Sequence, residues 1–440
     1  MKVQKFGGTS VGSPQRMKDV VALITRGDYK GNIVVLSAMS GTTNTLVEIC
    51  DYLGGGNIEG AGDVINTLQQ KYNRHINELY TTDEAREKTR RTADEIFGHI
   101  RSLTKSHFTS REEKIILSQG EILSTNMVTN YMLEQGYNVR LLDALAFMRT
   151  DITGEPDSRY IRQRLQDILA EGPEADLYIT QGYICRDVVG DVDNLQRGGS
   201  DYTASLVGAA VLADEIQIWT DIDGMHNNDP RYVENTARVP HLYFEEASEL
   251  AYFGAKILHP TCIQPAKFNN IPVRLLNTMD PDAPGTVIDN NLDTGTIKAI
   301  AAKDDITVIK VKSSRMLLAC GFLRKVFEVL ESHQTPIDMV CTSEVGVSMS
   351  IDKVTYLSEI EADLRSFGTV TIDRDMSIIC VVGDMDWENR GFESRALDAL
   401  KDIPVRMVGY GGSNYNISFL VRTADKKAAL LALSKTLFEQ

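Results

Sequence analysis

The sequence predicts an α/β protein. A three-layer α/β/α domain built on a mostly parallel sheet comes first, and two small α+β units follow. Three observations predict this. Apolar runs of strand length alternate with helical patterns over the first 295 residues. A Pro- and Gly-rich stretch, Asp280-Pro281-Asp282-Ala283-Pro284-Gly285, then reads as a loop. Beyond it, residues 306–440 contain the same pattern twice.

Taken in order, Val3 to Phe6 reads as a short strand before a glycine loop. Ser13-Pro14 reads as an N-cap with proline at the first helical position, opening a helix through about Arg26. Ile33 to Ser37 is an apolar run of buried-strand type. Residues 60–135 carry Glu, Lys, Arg, Gln and Leu at helical spacing. Further strands are expected at Val139 to Leu142, Leu177 to Thr180, Ile216 to Thr220 and Pro272 to Leu276. Helical patterns separate them, which suggests a largely parallel sheet covered on both faces. In the C-terminal part, Gly321-Phe322 recurs as Gly391-Phe392. Pro336 to Val340 recurs as Pro404 to Val408, and Val347 to Ile351 as Ile417 to Val421. With Ile306 to Val311 and Ser377 to Val382 as first strands, each copy reads βαββα.

Length and composition bound the function. One hydrophobic core rarely grows past about 250–300 residues, so a chain of 440 is expected to hold more than one domain. Lys plus Arg total 46 against 61 Asp plus Glu, a formal charge of -15. That sign disfavours nucleic-acid and anionic-membrane partners. The six cysteines show no C-x-x-C spacing and read as reduced thiols of a cytoplasmic protein. The histidines form no zinc motif, and neither a signal peptide nor a membrane span is apparent.

The chemistry-bearing segments are two glycine loops that each run into a helix. There is no G-x-x-x-x-G-K-[ST] loop. Instead the chain offers Gly7-Gly8-Thr9-Ser10-Val11-Gly12 and Arg197-Gly198-Gly199-Ser200. Glycines let backbone approach an anion, and helix N-termini present unpaired N–H groups to it. Moving a phosphoryl group needs charge neutralised on several oxygens, which two such loops with Lys5 and Arg197 would supply. Each loop alone is more often an ordinary turn, and Lys5 alone an ordinary strand-edge lysine. The weight lies in their joint presence with Thr220-Asp221 and Asp229-Pro230-Arg231, which follow an apolar strand, because ligands of open α/β sheets sit at the carboxyl ends of strands.

Four segments together resemble the aspartate kinases of the amino-acid kinase superfamily. They are Lys5 to Val11, Arg197 to Ala204, Trp219 to Asp221 with Asp229 to Arg231, and Phe253 to Pro260. The resemblance covers nearly the whole chain, and the tandem units resemble a pair of βαββαβ ACT domains. It implies a kinase domain over 1–295 and ACT-like domains over 296–375 and 376–440, with the strand near 298–311 belonging to either ACT unit. It implies ATP plus L-aspartate giving ADP and 4-phospho-L-aspartate, the first step towards lysine, threonine and methionine. By this resemblance Lys5 contacts the transferring phosphoryl group, Asp201 orients Lys5, and Gly7, Gly8, Ser10 and Ser200 line the phosphates. Thr220, Asp221, Arg231 and Lys256 serve the nucleotide. Ser37, Thr43, Glu121 and Arg197 bind aspartate, Glu121 through the ammonium and Arg197 through a carboxylate, for which its planar fork is suited. As structural alternatives, Glu121 is a solvated helix carboxylate and Arg197 a loop salt bridge. His226 stands where these kinases carry a tyrosine beside the base or ribose, and otherwise reads as a surface histidine. Mg²⁺ is expected to ride on the ATP phosphates, with no dedicated protein metal site.

The segments Met316 to Leu323 and Asp338 to Glu344 are similar to the effector-binding stretches of lysine-sensitive members. Met316, Phe322, Leu323, Asp338, Ser343 and Glu344 are the candidate contacts, while Ala319 and Cys320 replace more polar residues. L-lysine, or else threonine, is the expected effector; the competing reading makes both units dimerisation modules only. No homoserine dehydrogenase module follows, so a monofunctional kinase is expected, as a homodimer or dimer of dimers through its ACT units. Two other functional readings stay open: a superfamily kinase for another carboxylate such as glutamate, and an inactive amino-acid sensor. Retention of Lys5, Arg197, Asp201 and Lys256 speaks against the sensor.

Overall fold

The computed structural model describes residues 1–105, 107–195, 198–254, 259–313 and 321–438. Along the chain the elements are β1 (Lys2–Phe6), α1 (Pro14–Ile24), β2 (Asn32–Leu36), α2 (Thr42–Gly54), α3 (Ile58–Leu79), α4 (Asp83–Leu103), α5 (Ser110–Glu134), β3 (Val139–Leu142), α6 (Ser158–Glu171), β4 (Leu177–Gln181), β5 (Ile184–Arg186), β6 (Val192–Asn194), α7 (Gly199–Val211) and β7 (Glu215–Thr220). There follow β8 (His241–Tyr243), α8 (Phe244–Tyr252), α9 (Pro260–Phe268), β9 (Val273–Asn277) and β10 (Thr286–Asp289). The C-terminal part holds β11 (Ile297–Lys312), α10 (Phe322–Ser332), β12 (Met339–Ser343), β13 (Gly346–Ile351), α11 (Leu357–Arg365), β14 (Thr369–Gly383), α12 (Phe392–Ala399), β15 (Val405–Tyr410), β16 (Asn416–Arg422) and α13 (Lys426–Phe438). Two compact units result: Met1–Met225 with Leu258–Asn290, and His226–Ile257 with Asn291–Gln440.

In the first unit, seven strands pair in the order β3–β4–β2–β1–β7–β9–β10. All neighbouring pairs from β3 to β9 are parallel, and β10 runs antiparallel to β9. The central strands are apolar on both faces, as a doubly covered sheet requires: β2 is buried along its whole length. Ser13 caps α1 as its sequence suggests, in extended conformation with its Oγ accepting from the Arg16 N–H, and Pro14 sits at the first helical position. The long helical stretch resolves into α3, α4 and α5. Ala61, Ile65, Leu68, Tyr72, Ile76 and Leu79 form the buried stripe of α3, three and four residues apart. A capping box of Thr109 and Glu112 starts α5. These helices share one core with α1, α2 and strands β1 and β2. Among the described residues no helix is long and apolar enough to cross a membrane.

The second unit is built on a six-stranded antiparallel sheet ordered β12–β13–β11–β14–β16–β15. Two long strands, β11 and β14, run through it. Residues 307–312 of β11 pair with β13, and residues 297–303 pair with 378–383 of β14. The pairing register shifts between Lys303 and Val308, where Asp305 has φ +62 and Asp375 has φ +55. One strand thus serves both βαββ repeats: its second half completes the module of α10 and α11, its first half the module of α12 and α13. The modules keep separate cores. Val326, Leu330, Met349 and Ile360 belong to one; Phe392, Phe419, Leu430 and Leu433 belong to the other.

The close pairing of β11 with β14 depends on Gly383. A Cβ there would lie 2.2 Å from the carbonyl oxygen of Thr296 and 2.7 Å from the Ile297 Cα. Gly383→Ala should therefore push the two long strands apart and cost about 2 kcal/mol. Scanning calorimetry should show the unfolding transition of the second unit lowered by about 5 °C. An unchanged transition would mean that this close approach contributes nothing to stability.

Candidate active site

The first unit gathers its glycine loops at the carboxyl ends of the parallel strands. From β1 the chain moves to β2 on one side, and from β7 to β9 on the other. A crevice opens where such connections diverge. Gly7 N–H donates to the Trp219 carbonyl at the end of β7, Ser37 N–H to the Phe6 carbonyl, and Ser40 N–H to the Gly8 carbonyl. Glycine is needed at position 8 because a Cβ would stand 2.7 Å from the Ala38 carbonyl oxygen. The loops after β1 and β2 are therefore stacked backbone on backbone.

A cleft of about 450 Å³ lies here. It is lined by Lys5, Gly8, Ser37, Thr43, Glu121, Ser200 and Asp201, all expected from the sequence. Two helices begin at its wall, α2 after Gly41 (φ +81) and α7 after Gly198 (φ +77). Each is 13 residues long and presents unpaired backbone N–H groups at its start. At Gly198 a Cβ would meet Cys262 Sγ at 2.8 Å and His259 Cβ at 2.9 Å, so the left-handed turn and the tight packing both select glycine.

Lys5 Nζ forms an ion pair with Asp201 Oδ1 at 2.7 Å, with both side chains mostly shielded from solvent. Asp201 lies in the first turn of α7, where the helix dipole favours a carboxylate. Lys5 is thereby held at the lining of the cleft.

Glu121 enters from the middle of α5. A Cβ at its neighbour Gly120 would already be 2.8 Å from Ala38 Cβ, so the helix packs hard against the loop after β2. Ser124 Oγ donates to the Ser37 carbonyl at 2.8 Å. Ala38 N–H donates to Glu121 Oε1 at 3.2 Å. The other carboxylate oxygen, Oε2, is buried without a partner. Burial pushes the Glu121 carboxyl up to about 8, against the pull of the Ala38 N–H. A buried, half-satisfied acid on the wall of a cleft has one acceptor position open to a further donor. The alternative of a solvated helix carboxylate does not hold, because Glu121 is 3% exposed.

Other expected residues fall around this centre. A Cβ at Gly7 would lie 3.6 Å from Lys5 Nζ. Ser10 is buried, and its hydroxyl shares a hydrogen bond with Thr278 Oγ1 at 2.9 Å. Thr220 donates to Asp221 Oδ1 at 3.1 Å at the end of β7. Arg231 belongs to the second unit, where Asp229 holds its guanidinium at 2.6 Å. His226 is also there, hydrogen-bonded through Nδ1 to Thr236 Oγ1 at 2.8 Å. Arg197, Lys256 and Met316 lie outside the described residues. Among the described residues no group of three or more His, Cys, Asp or Glu side chains is placed to hold a metal.

Of the effector candidates, Phe322 and Leu323 open α10. The Asp338 carboxylate pairs with Lys303 at 2.7 Å and accepts from Tyr252 OH at 3.0 Å, and its Oδ2 is buried without a partner. Ser343 ends β12 with its hydroxyl 3.4 Å from the Gly346 carbonyl, and Glu344 is exposed in the turn that follows.

Sequence reasoning missed Tyr183, which lines the same cleft. Its φ is +68, rare for a bulky residue. A Cβ on Gly199 would meet its ring at 2.7 Å, so the ring rests on the start of α7. Strained backbone of this kind gathers at functional sites, but no local sequence motif announces it. Ser40, Gly41 and Asn44 also line the cleft without having been assigned to it.

Comparison with known proteins fits this geometry. Residues 1–277 match the amino acid kinase family, and residues 379–437 match the ACT domain. Aspartokinase 1, chloroplastic, of Arabidopsis thaliana is 33% identical over 99% of this chain and 80% of the relative. Lysine-sensitive aspartokinase 3 of Escherichia coli is 31% identical over 99% of both chains. The crystal structure of E. coli aspartokinase III in complex with aspartate and ADP (R-state) superposes with a TM-score of 0.85 at 30% identity, covering 100% of each chain. With these likenesses added to the cleft of Lys5, Asp201 and Glu121, the chain belongs to the amino acid kinase family, among its aspartokinases.

Proposed function

We propose that this protein transfers the γ-phosphoryl group of ATP to the side-chain carboxylate of L-aspartate, giving ADP and 4-phospho-L-aspartate. The observation that carries the reading is the half-satisfied Glu121 carboxylate facing the same cleft as Lys5 and two helix N-termini. That combination suits a substrate with one ammonium and two carboxylates beside a polyphosphate. The E. coli relative solved with aspartate and ADP supports it.

The attacking carboxylate is already ionised near neutral pH, so the protein needs no general base. Its task is positioning and charge stabilisation. Glu121 takes the substrate ammonium, and Ser37 and Thr43 hold the substrate by hydrogen bonds. Arg197 is assigned a substrate carboxylate by sequence alone. Lys5, set by Asp201, meets charge developing on the transferring phosphoryl group. Gly7, Gly8, Ser10 and Ser200 offer loop contacts to the phosphates. Thr220, Asp221, Arg231 and Lys256 are assigned to the nucleotide. Mg²⁺ would arrive on the ATP phosphates and neutralise part of their charge. Asp201, one of the acids lining the cleft, is committed to Lys5. The working compartment is read as the cytoplasm and the assembly as a homodimer or dimer of dimers through the ACT modules, which we take as domains over 296–375 and 376–440 behind a kinase domain over 1–295.

Incubation with MgATP, aspartate and hydroxylamine should yield aspartyl hydroxamate. Lys5→Met should lower kcat by roughly 10²-fold, the usual loss for one transition-state donor. Absence of hydroxamate, or formation from glutamate but not aspartate, would overturn the assignment; near-normal turnover of the variant would remove Lys5 from the mechanism.

The pH dependence follows from Glu121. Below about 8 the buried carboxyl keeps its proton and attracts an ammonium weakly; above it the carboxylate is formed. In the free enzyme kcat/KM for aspartate should therefore rise with pH towards about 8. Glu121→Gln should raise KM for aspartate and flatten that rise. A rising limb retained in this variant would assign the titration to another group.

For regulation we propose feedback inhibition by L-lysine, with Met316, Phe322, Leu323, Asp338, Ser343 and Glu344 as contacts. The lysine-sensitive relative, and the T-state structure of E. coli aspartokinase III with lysine and aspartate at TM-score 0.81, support it. Added L-lysine should suppress activity and Glu344→Ala should relieve it. Binding of lysine without inhibition, measured by calorimetry beside the activity titration, would leave the ACT modules a purely structural role.

A further inference from the structure

We infer that Lys426, at the start of the C-terminal helix α13, is a positioning residue for nucleotide binding, acting through Tyr232 on Arg231. This rests on the reading of Arg231 as a nucleotide contact. The segment 227–233, which carries Asp229-Pro230-Arg231, is built into the module of α12 and α13. Ile300 N–H donates to the Asn227 carbonyl at 2.9 Å. Asn228 Nδ2 donates to the Leu430 carbonyl on α13 at 3.3 Å. Val233 is buried in the same core as Phe419 and Leu433.

Lys426 closes this attachment. Its Nζ donates to Tyr232 OH at 2.7 Å and to Asp304 Oδ2 at 2.6 Å, and it stands 4.1 Å from the centre of the Tyr232 ring. Asp304 is fixed in turn by Ser377 Oγ at 2.6 Å, itself 3.0 Å from Thr423 Oγ1. Lys426 is 6% exposed and occupies the first turn of a helix. Burial and the helix dipole both oppose a cation there. Burial alone would lower the affinity of its ammonium for the proton, but the bonds to Asp304 and Tyr232 outweigh it and raise that affinity.

What the cation holds is the residue next to Arg231. Tyr232 N–H and Val233 N–H both donate to the Asp229 carbonyl at 3.0 Å, closing a tight turn. Arg231 N–H and guanidinium both bind the Asp229 carboxylate, at 2.9 Å and 2.6 Å. The Arg231 side chain is otherwise largely exposed. Tyr232 pinned at both ring and hydroxyl fixes this turn, and the turn fixes the direction in which Arg231 leaves it. Without Lys426 the turn that carries the Asp229–Arg231 pair would lose its anchor to α13, and the guanidinium, still paired with Asp229, would be held less firmly toward phosphate.

Steady-state kinetics of the full chain test this. Lys426→Met should raise KM for MgATP about tenfold, the loss expected for a hydrogen bond to a charged group, with kcat and KM for aspartate within about twofold of the parent. Tyr232→Phe, which keeps the ring and loses the hydroxyl, should raise KM for MgATP in the same selective way by a smaller factor. The double variant Lys426→Met with Arg231→Ala should be no worse than Arg231→Ala alone. An unchanged KM for MgATP in both single variants, or a parallel rise in both KM values, overturns the inference. If Lys426→Met does not fold, Tyr232→Phe decides by the same criterion. If Arg231→Ala raises KM for MgATP while Lys426→Met and Tyr232→Phe do not, only the positioning role fails; if Arg231→Ala leaves it unchanged, the nucleotide reading of Arg231 fails and takes this inference with it.

Discussion

The ion pair of Lys5 and Asp201 is the contact on which the cleft depends. In a chain of net charge -15 the overall field does not favour an anion beside Lys5, so the placing of this lysine is local. The 2.7 Å pair joins the end of β1 to the first turn of α7. For that junction to form, α7 must begin close to β1, and its start must clear the neighbouring elements. This is why Gly198 and Gly199 stand there: side chains at either position would enter Cys262, His259 or the ring of Tyr183. The same closeness puts the N-termini of α2 and α7 on one cleft. Partly shielded pairs of this kind add little net stability. What this pair does is fix the position of the Lys5 ammonium at the cleft.

Glu121 is the counterpart, a site where the fold accepts a cost. Its folded pKa of about 8 lies above the ordinary carboxylate value, so the native state holds a proton that the unfolded chain releases. The sign follows from linkage. At pH below about 4 both states are protonated and nothing is lost. As pH rises towards 8 the unfolded state ionises first, so this group lowers stability across that window. An ammonium placed against the bare Oε2 would reverse the penalty, because the ionised form would then be the favoured one. The cost of leaving that oxygen buried and unmatched is what such a partner would offset.

The parts of this site that were legible in the sequence are those where the backbone itself must do something unusual. Gly8, Gly198 and Gly199 mark close approaches, Ser13-Pro14 marks a helix start, and Lys5 and Asp201 sit at fixed distances from those glycines. Tyr183 was not legible, since its place in the cleft comes from a left-handed turn and from a ring laid on Gly199, neither of which has a local signature. Nor did the sequence reveal that segment 226–257 groups with the C-terminal unit, since a buried Val233 looks the same in any core. The strand near 298–311 was ambiguous for a physical reason. Around Lys303 to Val308 the pairing register shifts inside one continuous strand that serves two modules.

The two modules also show what a repeat conserves and what it releases. Gly321 and Gly391 are both left-handed helix caps, at φ +83 and +90, and Phe322 and Phe392 behind them are both buried. Between these landmarks the chemistry is inverted. Asp338 in the first module corresponds to Arg406 in the second, and Lys303 on the first long strand to Asp373 on the other. The ion pairs Lys303–Asp338 and Arg406–Asp373, at 2.7 and 2.8 Å, occupy matching places with their charges exchanged. In the first module Lys303 also pairs with Asp352 at 2.9 Å, so there one ammonium serves two carboxylates. The exchange matters for a ligand. At this position the first module keeps a buried carboxylate oxygen without a partner, whereas the second presents a half-exposed guanidinium already matched to its acid. An amino-acid ammonium entering at this level of the fold would find an acceptor in the first module and repulsion in the second, so two copies of one architecture need not share one ligand.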